Sequence, residues 1–207
     1  MQLQMCSWTD DLDVDTSRDE SLRAFAVGAP VLICDDGAGE LVAELCVPAE
    51  ALTTTRSAFL IRYTSGIMTA TVDTATAARL DMPLLRVDFD RDVGRFCVAV
   101  DAKSESTGIS ARDRARTIAR IADSSSGPAD FDRPGHVVPV LTGGVFAHTR
   151  WTRYDAAAAL SRRAGLSGVV ASAPLVDGLG ATVSSFVTIF ARTHRLPLLT
   201  AGSLRDR

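Results

Sequence analysis

Lysine is almost missing from this chain. Lys103 is the only one, so nearly every basic side chain is an arginine. That bias reads mainly as GC-rich coding, and its physical corollary is a set of forked donors suited to phosphate or carboxylate. An excess of positive charge is missing as well. The formal net charge is -3, which argues against a general binder of nucleic acid or of acidic membranes, since both need a positive field. No apolar run reaches the length of a membrane-spanning helix, and the opening "MQLQMCSWTDDLDVD" lacks a basic region followed by an apolar one. Cys6, Cys34, Cys46 and Cys97 show neither CxxC nor Cys/His spacing, so a zinc site is not expected. Reduced, mostly buried thiols in a cytoplasmic protein are the expectation.

What is present is enough for one substantial core. A chain of 207 residues that is 46% hydrophobic and 23% charged fits a single soluble domain. Residues 1–18 are polar and acidic with little periodicity, which predicts a loose arm, and residues 19–207 form the domain. "SRDE" at 17–20 has capping-box spacing ahead of a helical stripe of Leu22, Phe25 and Ala26. "PVLICDD", "LVAELCVPA", "GIMTATVD", "RFCVAVDA", "HVVPVL", "GVVASAP" and "LPLLTA" read as strands. Helices are predicted over "TTTRSAFLIRYT", "TATAARLDM", "RYDAAAALSRRAG" and "ATVSSFVTIFARTH". In "SARDRARTIARIAD" a further helix is capped by Ser110 with Asp113 at its third position. "SSSGPADFDRPG" is the most loop-like stretch. Alternation of strands and helices predicts an α/β fold of three layers, a mixed β-sheet covered by helices.

Several stretches could carry chemistry. His194 falls near a helix C-terminus, where a cation complements the dipole, so its expected role is structural. His136, in "DRPGHV", follows a Pro-Gly turn and precedes an apolar strand, where a scaffold can present an imidazole; a lone loop histidine is also often just a surface residue. Arg150, Arg153 and Asp155 in "HTRWTRYDA" sit at the mouth of a helix, as a seat for an anion or as a solvated charged turn. Thr107 and Ser110, beside Gly108 in "TGISARDR", start another helix, with capping as the plainer role. In "DDGAGELVAELCVPAE" (35–50), Glu40 and Glu44 stand among Leu41, Val42 and Leu45, an unusual setting for two carboxylates.

Taken in order, "LDMPLL", "STGISARDRART", "FDRPGHVVPV", the "AAAALSRRAGL" helix and "RTHRLPLLT" resemble the 3,4-dihydroxy-2-butanone 4-phosphate synthase family over roughly residues 20–205. The resemblance implies a three-layer α/β domain and a homodimer with active sites near the interface. It also implies conversion of ribulose 5-phosphate to dihydroxybutanone phosphate and formate, with a divalent metal, usually magnesium. The family loop DDEDRENEGD lies over "DDGAGELVAE". Glu40 then falls on the metal-binding glutamate and Glu44 on the substrate-side aspartate, while Gly39, Leu41 and Val42 replace polar residues. The family's RxGHTEA lies over "RWTRYDA", so Arg150 keeps an arginine, Arg153 replaces the metal-binding histidine, Tyr154 a threonine and Asp155 a glutamate. A shifted alignment makes His148 the second metal ligand instead. Ser172 replaces a catalytic glutamate, and His136 is kept.

From these departures the expectation is a repurposed enzyme, a metal-independent lyase, isomerase or cyclase of specialised metabolism acting on a larger, less polar anionic substrate. Its catalytic residues would be His136, Glu40 and Asp155. Arg150, Arg153, Tyr154, Glu44, Leu41, Val42, Thr107 and Ser172 would bind the substrate, with no cofactor. Two alternatives stand beside it. One is a magnesium-dependent synthase of riboflavin biosynthesis, with Glu40 and His148 as ligands. The other is a non-catalytic binding homologue.

Overall fold

The computed structural model describes residues 18–35, 41–85, 95–104, 106–143 and 151–205. Residues 1–17 of the expected arm, and with them the start of the "SRDE" capping box, lie outside the described residues. The first helix, α1, runs over Arg18–Ala26, one residue ahead of the expected domain start.

Seven strands form one sheet: β1 (Val31–Cys34), β2 (Ala43–Pro48), β3 (Met68–Val72), β4 (Val100–Ala102), β5 (Phe131–Leu141), β6 (Val170–Pro174) and β7 (Leu198–Thr200). Their order is β4-β5-β3-β6-β2-β1-β7. The β1–β7 and β3–β5 pairs are parallel and the others antiparallel, so the sheet is mixed as expected. The remaining helices are α2 (Thr54–Tyr63), α3 (Thr74–Arg79), α4 (Ala111–Ala122), α5 (Arg153–Arg163) and α6 (Ser184–His194).

Strand alternation sends neighbouring residues to opposite faces, and the core divides accordingly. Leu32 and Leu45 join Leu60, Ile118, Val187 and Phe190 in a core under α2, α4 and α6. Ile33 and Cys46 join Phe25, Ala156 and Leu160 in a second core under α1 and α5. The sheet is therefore covered on both faces, which is the three-layer arrangement.

Two helix starts follow the local rules. Ser110 caps α4 by accepting the Asp113 N–H at 3.1 Å. Thr152 caps α5, and the Asp155 carboxylate accepts the Thr152 N–H at 3.0 Å, completing a capping box.

Two segments differ from expectation. "RFCVAVDA" contributes only Val100–Ala102 to the sheet as β4, while Phe96 and Cys97 make isolated bridges to Val140 and Leu84. The loop-like "FDRPG" is instead the start of β5, with Arg133–Pro134 in the cis form. Pairing with β4 at Asp132 and Phe131 draws this stretch into the sheet despite its proline and glycine.

Candidate active site

The register of four central strands brings the candidate residues to one end and one face of the sheet. Cys46 lies opposite Ser172, Ser172 opposite Thr69, and Thr69 opposite Val138. Strands β2, β3 and β5 run the same way, so Glu44 and His136, each two residues before that row, share its face and lie toward the same end. Three strand spacings separate their backbones, roughly 14 Å. Ser172 sits between them, fully buried, its hydroxyl 2.7 Å from that of Thr69.

Over this end of the sheet stands the start of α5. Arg153 donates from Nε to Glu44 Oε1 at 3.0 Å, from Nη1 to Asp35 Oδ2 at 2.7 Å and from Nη2 to the Tyr154 hydroxyl at 3.2 Å. Its backbone N–H also meets Asp35 Oδ1, at 3.1 Å. The Tyr154 hydroxyl in turn donates to Glu44 Oε1 at 3.2 Å. Burial opposes the charge on Arg153, but Glu44, Tyr154 and Asp35 together outweigh it and hold the guanidinium protonated well above its ordinary value.

Glu44 feels the opposite balance. Complete burial raises its pKa, and the Arg153 charge with the hydrogen bonds of Arg153, Tyr154 and Ser172 only partly offsets this. Ser172 lies close enough to act on the carboxyl, yet Glu44 Oε2 has no partner of hydrogen-bond geometry among the described residues. Burial, followed by the neighbouring Glu44 charge, pushes the Tyr154 phenol far above its usual range, so it stays neutral.

The other expected site residues fall in different surroundings. Arg153 is not an open anion seat: each of its nitrogens already has an acidic or phenolic partner. Asp155 accepts from Thr152 through its N–H and hydroxyl, from the Gly143 N–H at 3.0 Å and from buried Arg95, so neither carboxylate oxygen lacks a partner. Leu41 and Leu45 are buried in the core under α2, α4 and α6, because alternation turns Leu45 away from Glu44, and Val42 is half-buried. Thr107 is exposed beside the start of α4. Glu40, His148 and Arg150 lie outside the described residues.

His136 is held by Asp101, a residue the sequence reading did not single out. The carboxylate accepts the His136 backbone N–H at 3.0 Å and meets ring Nδ1 at 2.6 Å. The available signal was the aspartate ending the alternating "FCVAVD" stretch, but nothing local linked it to a histidine 35 residues away.

Among the described residues, no three His, Cys, Asp or Glu side chains gather as a metal site. Asp35 and Glu44 do converge, but on a guanidinium, which repels a cation. That donor set does not fit magnesium. Glu40 and His148, the metal donors of the alternative reading, lie outside the described residues.

Comparison with known proteins gives a consistent result. The family model "3,4-dihydroxy-2-butanone 4-phosphate synthase" matches residues 19–206. The 3,4-dihydroxy-2-butanone 4-phosphate synthase of Saccharomyces cerevisiae is 35% identical over 202 residues, covering 91% of this chain and 96% of the yeast protein. The riboflavin biosynthesis protein RibBA of Salinispora tropica is 39% identical over 192 residues, 90% of this chain. This chain spans about half the length of that RibBA relative, the match covering 47% of it. Among solved structures, the synthase of Candida albicans superposes with a TM-score of 0.81 at 29% identity, covering 91% of this chain and 95% of that one. A synthase in complex with two magnesium ions gives 0.79 at 30% identity, covering 91% and 94%.

These findings overturn the expectation of a repurposed, metal-independent enzyme of specialised metabolism. The family model matches nearly the whole domain, and the yeast relative bears the synthase's name. The expectation of no cofactor falls with it, because a structural relative carries two magnesium ions. With the mixed three-layer sheet and the family match over residues 19–206, the chain belongs to the 3,4-dihydroxy-2-butanone 4-phosphate synthase family, whose members are lyase-type enzymes.

Proposed function

We propose that this protein is a magnesium-dependent 3,4-dihydroxy-2-butanone 4-phosphate synthase, converting ribulose 5-phosphate to dihydroxybutanone phosphate and formate for riboflavin biosynthesis. The observation that carries this reading is the family match over residues 19–206. The placement of His136 and Glu44 at one end of the sheet supports it. Glu40 and His148 are the donors that would hold magnesium, and the bound ion would polarise the sugar's oxygens.

The chain's own groups supply the rest. The His136 ring, half-exposed, is available to take a proton from the carbon beside the ketose carbonyl and to return it. The Ser172 hydroxyl, bonded to Thr69, can relay a proton but is a weak base. Glu44, Arg153, Tyr154 and Asp35 form the rigid base of the site, and Arg150 is the candidate for the substrate phosphate. A homodimer with its sites near the interface is part of this reading, as is a cytoplasmic setting, with which the buried, reduced thiols of Cys34, Cys46 and Cys97 agree.

The test is formate release from ribulose 5-phosphate with magnesium, with EDTA as control. Formate that appears with magnesium and stops with EDTA supports the reading. No formate under conditions where the yeast relative is active would sink it.

A further inference from the structure

Two glycine-containing stretches, "TGIS" and "RPGH", lie far apart in the chain, yet the proposed chemistry uses only His136 from them. In the fold they close on the same residue, Asp101. Gly108 has φ +79°, and a Cβ there would overlap the Asp101 carboxylate. Gly135 lies flat against the backbone of Val100 and Asp101, and a Cβ there would overlap that backbone. Gly108 therefore makes room for the Asp101 carboxylate and Gly135 for the backbone that carries it, and that carboxylate reaches His136.

The contact between the two side chains has a definite hydrogen-bond sense. An ionised carboxylate only accepts. One oxygen, Oδ1, takes the His136 backbone N–H at 3.0 Å, and the other, Oδ2, lies 2.6 Å from Nδ1. The ring proton therefore belongs on Nδ1, which leaves Nε2 with a free lone pair. The His136 side chain is 39% exposed, and Nε2 makes no hydrogen bond among the described residues. The buried Arg114 guanidinium on α4 lies close enough to interact with Asp101.

We propose that Asp101 is a positioning residue: it fixes His136 as the Nδ1–H tautomer and so presents Nε2 as the base that meets the substrate. The inference rests on the reading of His136 as the acid/base group of the synthase reaction. Asp101 itself touches no substrate and acts through the imidazole.

The substitution Asp101→Asn makes the role testable, since it keeps the side-chain shape that Gly108 accommodates. The backbone N–H of His136 still needs an acceptor and holds the amide oxygen. The amide NH2 is then turned toward Nδ1, which must become an acceptor. The ring proton moves to Nε2, the atom that should be free.

The experiment uses the full chain with 15N-labelled histidine. The wild type is expected to show Nδ1 protonated and Nε2 free in its neutral form, and D101N the reverse. In the formate assay with ribulose 5-phosphate and magnesium, D101N is expected to lower kcat on the order of 10²-fold or more with KM little changed. In a His136→Ala background, Asp101→Asn is expected to cost nothing further, since its effect passes through that ring. A wild type with the proton on Nε2 overturns the proposal, and this spectrum decides the matter even if D101N fails to fold. An unchanged tautomer in folded D101N, an unchanged kcat, or a full additive loss in the His136→Ala background overturns it as well. A wild type that releases no formate sinks the synthase reading instead, while the two spectra still decide whether Asp101 sets the ring.

Discussion

Arg153 and Glu44, 109 residues apart in the chain, are joined by a 3.0 Å bond from the guanidinium Nε to the carboxylate Oε1, with the Glu44 side chain 1% exposed and that of Arg153 18%. A pair this buried is expensive to break from one side, because the remaining charge keeps its desolvation cost and loses its partner. Arg153→Met is therefore expected to destabilise the fold by roughly 3 to 5 kcal/mol. The midpoint of urea unfolding measures it, and a loss below about 1 kcal/mol would show that the pair is not closed in solution.

The same carboxyl makes stability depend on pH in an uncommon direction. Burial raises the Glu44 pKa in the folded state above the ordinary value of 4.5. The native state then binds the proton more tightly than the unfolded chain, so this group's contribution to stability falls as pH rises from about 4.5 through the raised folded value. Glu44→Gln should remove that component. Urea midpoints of both proteins measured from about pH 5 to pH 8 should show the wild type losing stability relative to E44Q as pH rises, and parallel curves would refute this.

Asp155 should prove more important to folding than to chemistry. Its carboxylate closes the α5 capping box, ties in Gly143 and pairs with buried Arg95. Asp155→Ala is expected to cost roughly 3 to 5 kcal/mol, because the buried arginine loses its carboxylate. The chemistry in the molecules that still fold should stay within about tenfold of the wild type, a loss far smaller than removal of an acid/base group produces. A folded D155A with kcat down by about 10²-fold or more would instead give Asp155 a direct part in the reaction.

Gly135 allows no side chain. A Cβ there would meet the backbone of Val100 and Asp101, which cannot swing aside as the tip of a long side chain can. Gly135→Ala is expected to lose on the order of 3 kcal/mol of stability and to displace His136. Thermal unfolding together with the formate assay reports both effects, and a variant with wild-type Tm and kcat would contradict the close approach.

Much of the layer architecture was legible because its signals are local. The apolar run of "VLIC" and the Ser110 cap each depend on residues within a few positions, and the strand and helix start they mark appear in the fold. "FDRPG" read as a loop for an equally local reason, its proline and glycine, yet it pairs with β4 because Val100–Ala102 offers an edge that no local pattern reveals. The site was harder. Charge at the start of α5 was visible in "RYD", but whether Arg153 faced a substrate anion or the protein's own carboxylates was not.

That difference has one physical origin. Alternation, capping and turn chemistry act between near neighbours, so this sequence by itself determined its strands, its helix starts and the family likeness carried by "TGISARDR" and "DRPGHV". Which charges meet is a matter of strand order and register. Only the tertiary structure brought Asp35 and Glu44, 118 and 109 residues from Arg153, to the start of α5, and Asp101 to His136. Burial then set the outcome, because side chains removed from water must find partners inside the protein wherever the sheet happens to place them.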